Sequence, residues 1–345
     1  MALATTHEDA IPVGWLRGRD FDLCFILGIV ALGLVSAWVV IEEPRLLIPV
    51  VLADQWLLGY HHVVSTYTRL CFDRESLAAH RFIVFQLPFL VLAGVLALAI
   101  GFGLWTLPTL YFYWQWFHYS RQSWGVAQVY RRKAGNNAAT EQGWLFQATF
   151  YLMPLWGVLH RSYQDPDRFL GMEVRTLPVS GWIVDAVGIA AFAALAWWFA
   201  GRAIAYWRGR LPLAHTLYLL THFAMFYIGY IVIDDITIGW LAVNVWHNAQ
   251  YILFVWMFNN NRFKGGIDPK ARFLSTISQT NKVWLYFLSC LGISTAVYLT
   301  LEFSVGALPL LLLSYQVINF HHYIADAVIW KVRRKSLQKT LGLTA

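Results

Sequence analysis

The run GWLAVNVWHNAQYILFVW (239–256) sets Asn244, His247, Asn248 and Gln250 around the midpoint of an otherwise apolar and aromatic stretch. As a helix it extends roughly 27 Å, close to the ~30 Å hydrocarbon thickness of a bilayer. It carries no acid or amine along its whole length. Such a run reads as a membrane-spanning helix whose polar residues sit at mid-depth, where their cost makes them functional candidates by default.

Working outward, runs of this kind recur from end to end. The chain of 345 residues is 58% hydrophobic and only 13% charged, about half the charge of a soluble domain. The pattern predicts an all-α, polytopic bundle, a single integral membrane domain over 1–345. About ten spans are expected, near 22–41, 46–68, 82–102, 104–127, 144–160, 181–204, 213–233, 236–258, 283–301 and 305–330. Of the 26 Lys and Arg, all but Arg45, Arg161, Arg168 and Arg175 fall in alternate loops, which puts both termini in the cytoplasm. The expected location is the inner, cytoplasmic membrane of a bacterium. The net charge of +7 then belongs to a basic rim facing membrane lipids, and no nucleic-acid partner is implied. Three scattered cysteines, Cys24, Cys71 and Cys290, form neither a disulfide framework nor a zinc ribbon.

The polar residues share a depth. Adjacent histidines occur twice, His61 with His62 in GYHHVVSTYTRLCFD (59–73) and His321 with His322 in QVINFHHYIADAVIWK (316–331). His118 in YFYWQWFHYSRQSWG, His222 in THFAMFYIGYIVIDD and His247 complete a set of seven on five helices. Neighbours on a helix diverge by about 100°, so one member of each pair faces a common site; His62 and His322 are favoured. His322 and Asp326 are four residues apart on one helical face. Amides flank His118 and His247 at one-turn spacing, placed to fix ligand rings through their second nitrogen.

Imidazoles without thiolates suit iron, copper or zinc, and an added carboxylate with open positions favours non-haem iron and oxygen chemistry. The expected metal ligands are drawn from His61, His62, His118, His222, His247, His321 and His322, with His222 as a fifth beside one from each other helix. Asp326 would orient His322 or bind directly, and Arg121 would meet a substrate headgroup or an anionic intermediate. Trp114, Trp246 and Tyr323 are placed to line a pocket for a long apolar substrate. His7, His80, His160 and His215, at helix ends or in loops, read as surface histidines, and Asp234 with Asp235 as a capping pair.

The segments HHVVSTYTRL, HYSRQSWG, WHNAQY and HHYIADAVIWK resemble in style those of the Brp/Blh-type β-carotene dioxygenases, polytopic proteins with histidines from separate helices around iron. The HxxxH and HxxHH boxes of membrane desaturases and hydroxylases do not occur. The resemblance implies a mono- or di-iron centre, with copper or zinc as alternatives, open to a lipid-phase small molecule and served by an electron-donor protein or an oligomer. The expected activity is that of an iron-dependent oxidoreductase, an oxygenase or hydroxylase. Two other readings fit the same residues. One is a b-type haem or quinone protein with His118 and His247 as axial ligands. The other is a transporter or proton conductor with a histidine relay through Asp54 and Asp326.

Overall fold

The computed structural model describes residues 13–135, 143–305 and 308–343, and these are almost entirely helical. In chain order the helices are α1 (Arg19–Glu42), α2 (44–70), α3 (Arg74–Ala79), α4 (81–102), α5 (Thr106–Lys133), α6 (Trp144–Gln164) and α7 (Gly181–Trp207). They continue as α8 (Leu213–Val232), α9 (Ile236–Arg262), α10 (Arg272–Ile277), α11 (Thr280–Val305), α12 (Leu308–Ile329) and α13 (Lys335–Leu341). A two-residue hairpin, β1 (Arg168–Phe169) with β2 (Met172–Glu173), interrupts the loop after α6, and its Phe169 packs against Trp240.

Among the described residues, four helices are long and apolar enough to cross a membrane: α1, α7, α8 and α11. The bundle is turned inside out relative to a soluble protein. Leu32, Trp38, Ile189, Phe192 and Phe303 are exposed, whereas Asp22, Asp54, Gln115, His118 and Asn244 are buried. Exposed apolar surface on this scale marks contact with lipid or another apolar partner.

The central element is α9, whose residues from Gly239 to Tyr251 are buried without a break. It starts at Asp235, whose carboxylate accepts hydrogen bonds from Thr237 and Ile238 N–H at 2.8 Å each, supplying the partners that a helix start lacks. The expected capping role thus falls to Asp235; Asp234 instead accepts from Gln164 Nε2 and gives its carbonyl to Arg161. Small residues let neighbours approach α9. A methyl on Gly33 of α1 would stand 2.6 Å from the Ala242 carbonyl. Helices α1, α2 and α8 pack against it, and its Tyr251 reaches α12 through Asp326.

Three π-helical turns punctuate the bundle, at Cys24–Gly28 in α1, Gln55–Gly59 in α2 and Ile228–Val232 in α8. Each adds a residue to one turn and rotates everything that follows. The turn in α2 directly precedes His61 and His62, so it sets which of the two faces inward.

Candidate metal centre

Four imidazoles from four helices meet at the centre of the bundle. His62 (α2), His118 (α5), His247 (α9) and His322 (α12) have ring centroids 4.6 Å apart for His62–His322 and 4.8 Å for His62–His247. His118 lies 5.0 Å from both His247 and His322. All four are buried. Ligand atoms of His62, His118, His322 and Asp326 lie within 4.8 Å of one another, a group that can hold a metal ion.

Asp326 and His322 share one hydrogen-bonded hub. Thr66 Oγ1 donates to Asp326 Oδ1 (2.9 Å), and Tyr251 OH donates to the same oxygen (2.7 Å). Trp330 Nε1–H in turn donates to Tyr251 OH (2.8 Å). Thr66 Oγ1 also lies 2.7 Å from Tyr251 OH and 2.9 Å from His322 Nδ1. With the Thr66 proton on Asp326, the Nδ1–H tautomer of His322 donates to Thr66 and leaves its lone pair on Nε2. That Nε2 stands 2.7 Å from His62 Nε2 and 3.7 Å from Asp326 Oδ2. Metal-bound histidines are held through their second nitrogen in this way.

His118 Nε2 and Asp326 Oδ2 of that group are buried without a hydrogen bond, as are His62 Nδ1, His247 Nδ1 and His61 Nε2. On the far side of His247, a polar chain continues: the ring lies against Tyr119 (centroids 4.0 Å), whose hydroxyl donates to Asn244 Oδ1. Asn244 Nδ2 donates to buried Asp54 Oδ2 at 2.5 Å. Thr66 lies one turn beyond His62 and Tyr251 one turn beyond His247, but their role as a hub depends on contacts between helices.

The other three expected ligands stand apart, each for a local reason. His222 has both nitrogens occupied, Nδ1 with Ser123 Oγ (2.9 Å) and Nε2 with the Phe150 carbonyl (3.1 Å). Phe150 is four residues before Pro154, which lacks the N–H that would donate to this carbonyl within α6. His222 thus satisfies a carbonyl that proline leaves open, and does not supply a fifth ligand. His321 is likewise occupied, by Tyr67 OH (2.8 Å) and by the Ile83 carbonyl (2.7 Å) in the last turn before α4 breaks. His61 packs edge-on against Phe287, away from the four.

Of the presumed surface histidines, His80 bonds the Ser76 carbonyl (2.9 Å), whereas His215 is fully buried against Phe146 with Arg202 at 3.3 Å. His7 lies outside the described residues. Arg121 is exposed and donates to Tyr151 OH at 3.1 Å. A cavity of about 520 Å³ reaches the centre from one side, with His118, Asp326, Trp114 and Tyr323 in its wall. Trp246 is not in that wall; it is fully buried and meets Phe226 edge-on. In comparisons with protein-family models, with curated proteins and with solved structures, nothing matches this chain.

Proposed function

We propose that this protein is a membrane-embedded, histidine-ligated metalloenzyme, an iron-dependent oxygenase acting on a substrate in the lipid phase. In this reading its ten long helices all cross the bilayer, both termini are cytoplasmic, and the membrane is the cytoplasmic membrane of a bacterium. Of the other six long helices, α4 is apolar but broken after Phe85, and the remaining five include all four that bring a histidine to the centre; such residues lower hydropathy without changing helix length.

The observation that carries the reading is the convergence of His62, His118, His322 and Asp326, whose ligand atoms lie within 4.8 Å of one another, with the His247 ring packed beside them. A buried polar atom without a partner costs about 1–3 kcal/mol. His118 Nε2 and Asp326 Oδ2, both in that group, have none, so together they cost about 2–6 kcal/mol, a large share of the 5–15 kcal/mol stability of a typical fold. A cation bound there would supply each atom with its partner.

The residues divide the work. Thr66 and Asp326 hold His322 with its lone pair inward, while Tyr251 and Trp330 hold Asp326. Asp326 Oδ2 stays free to bind a metal or to take a proton. Bound iron would contribute oxygen activation at coordination positions left open by imidazoles and one carboxylate. His118 and Asp326 form the face that the cavity reaches, so substrate meets the centre from there. The haem alternative fits poorly. His118 and His247 have centroids only 5.0 Å apart, with His62 and His322 crowding the same space, and no macrocycle fits between them.

The test is elemental analysis of protein purified without chelators, with an absorption spectrum. Iron at one or two per chain and no Soret band are expected. Protein that retains no iron, copper or zinc, even after incubation with each and removal of the excess, would refute the proposal.

A further inference from the structure

The cavity that reaches His118 and Asp326 is not uniformly apolar, and its charges are arranged along its length. Its walls are α5 and α12, which run side by side in the same direction: Trp114 stacks on Phe320 (4.9 Å), and one turn on His118 stacks on Tyr323 (4.2 Å). On the Trp114 side of the centre the lining is apolar, and Phe117 there is 49% exposed, so this part opens toward surrounding lipid. On the other side, toward the basic end of the bundle, the lining gains Arg121 from α5 with Lys331 and Arg333 from just beyond α12. Leu337 and Leu341 of α13 close the floor.

Among the described residues, none of these three cations has a carboxylate within ion-pair range. Arg121 donates to Tyr151 OH. Asp326, the acid in the wall, is engaged by Thr66 and Tyr251 deeper in. Three cations with no carboxylate partner among the described residues, on two facing walls at the mouth of an apolar slot, complement an anion attached to an oily chain. Basic pockets between membrane helices on the cytoplasmic side bind anionic headgroups on this principle. The volume lies within the range of ordinary small-molecule sites and suits one chain.

We infer that the ligand of this cavity is a single-chain amphiphile with an anionic head, a carboxylate or a phosphate, held by Arg121, Lys331 and Arg333 with its tail along Trp114 and Phe117. At ~1.5 Å per residue, the cations lie roughly 5–10 Å beyond His118 and Asp326 toward the basic end. The tail therefore passes the centre within a few carbons of its head, and that part of the chain is what the centre addresses. The position of reaction rests on the metalloenzyme reading; the binding itself does not.

The experiment uses the full chain in nanodiscs of neutral phosphatidylcholine, with radiolabelled palmitate as probe. Hexadecyl phosphate, methyl palmitate and diacyl phosphatidylglycerol serve as competitors, and metal content is measured on the same samples. Palmitate is expected to bind saturably, once per chain, and to be displaced by hexadecyl phosphate but not by the neutral ester. Arg121→Gln and Arg333→Gln, on opposite walls, should each weaken it about fivefold, as expected for one basic residue at an anionic headgroup. Arg121→Lys should restore most of the loss. Equal displacement by the methyl ester, or no effect of either Gln variant, would overturn the inference. Displacement by phosphatidylglycerol as effective as by hexadecyl phosphate would overturn it too, reducing the rim to a bulk-lipid contact. Cation-dependent palmitate binding by protein that holds no metal would leave this inference standing and remove the metalloenzyme reading. Bound metal without cation-dependent binding would do the reverse.

Discussion

The separation of seven histidines into four that converge and three that do not predicts opposite fingerprints for two alanine substitutions. His118→Ala removes an imidazole whose Nε2 has no protein partner. Binding free energies of about 10–16 kcal/mol for a four-ligand structural zinc site correspond to about 3 kcal/mol per ligand, so its loss should weaken metal binding at least ~100-fold. The metal-free protein loses little besides packing on Tyr323, because no hydrogen bond of the His118 ring is broken. His222→Ala does the converse. It strands the Phe150 carbonyl, leaves Ser123 Oγ with Tyr218 OH alone, and removes a ring stacked at 3.8 Å on Phe150. At about 1–3 kcal/mol for the stranded carbonyl, before the lost packing, metal-free stability should fall by at least about 1–3 kcal/mol while metal affinity moves less than about threefold. Competition against a chelator of known affinity measures the first quantity, and thermal unfolding of chelator-treated protein in detergent measures the second. If His222→Ala abolished metal binding, or if both variants lowered affinity and stability alike, the division drawn from the hydrogen bonds would be wrong.

Three further outcomes follow from other contacts. Thr66→Val should lower metal affinity about 10–100-fold by freeing the His322 ring and one side of Asp326, whereas Thr66→Ser should keep it; chelator competition on both variants tests this. Gly239→Ala would drive a methyl into the Gly229 carbonyl where α9 crosses α8, so it should cost about 1–3 kcal/mol in unfolding experiments without a direct change at the metal centre. Asp73 lies outside the spans; burial alone would raise its carboxyl, but the Arg262 guanidinium at 2.8 Å and the Ser76 N–H hold it below the usual carboxylate range. A lowered folded value means that its stabilisation is complete above about pH 4 and fades as pH falls through that value. Asp73→Asn should therefore melt lower than the parent at pH 7, and the gap between the two melting temperatures should narrow as pH falls below about 4 and close once it has passed the lowered folded value.

What could be read in advance followed from composition, and what could not followed from partners. Long apolar runs had only helices available to them, and Asn244, His247 and Gln316 announced themselves by standing in oil. Asp326 was legible at four residues from His322, since that spacing fixes a shared helical face. The choice within the His61–His62 pair rested on phase, and phase was altered by the π-helical turn at Gln55–Gly59, which no residue pattern in α2 advertises. His222 misled for a different reason. Set unpaired in an aromatic stretch, it looks like His118. The two differ in what the neighbouring helix offers: α6 presents a carbonyl left open by Pro154, while the space beside His118 presents other imidazoles. His321 repeats the lesson at Ile83, beside the break in α4. A usable rule emerges for bundles of this kind. A lone intramembrane histidine should first be set against every proline-freed or helix-terminal carbonyl at its own depth, because hydrocarbon offers that carbonyl no water. Only histidines left over after that pairing compete for a metal, and here the rule removes His222 and His321.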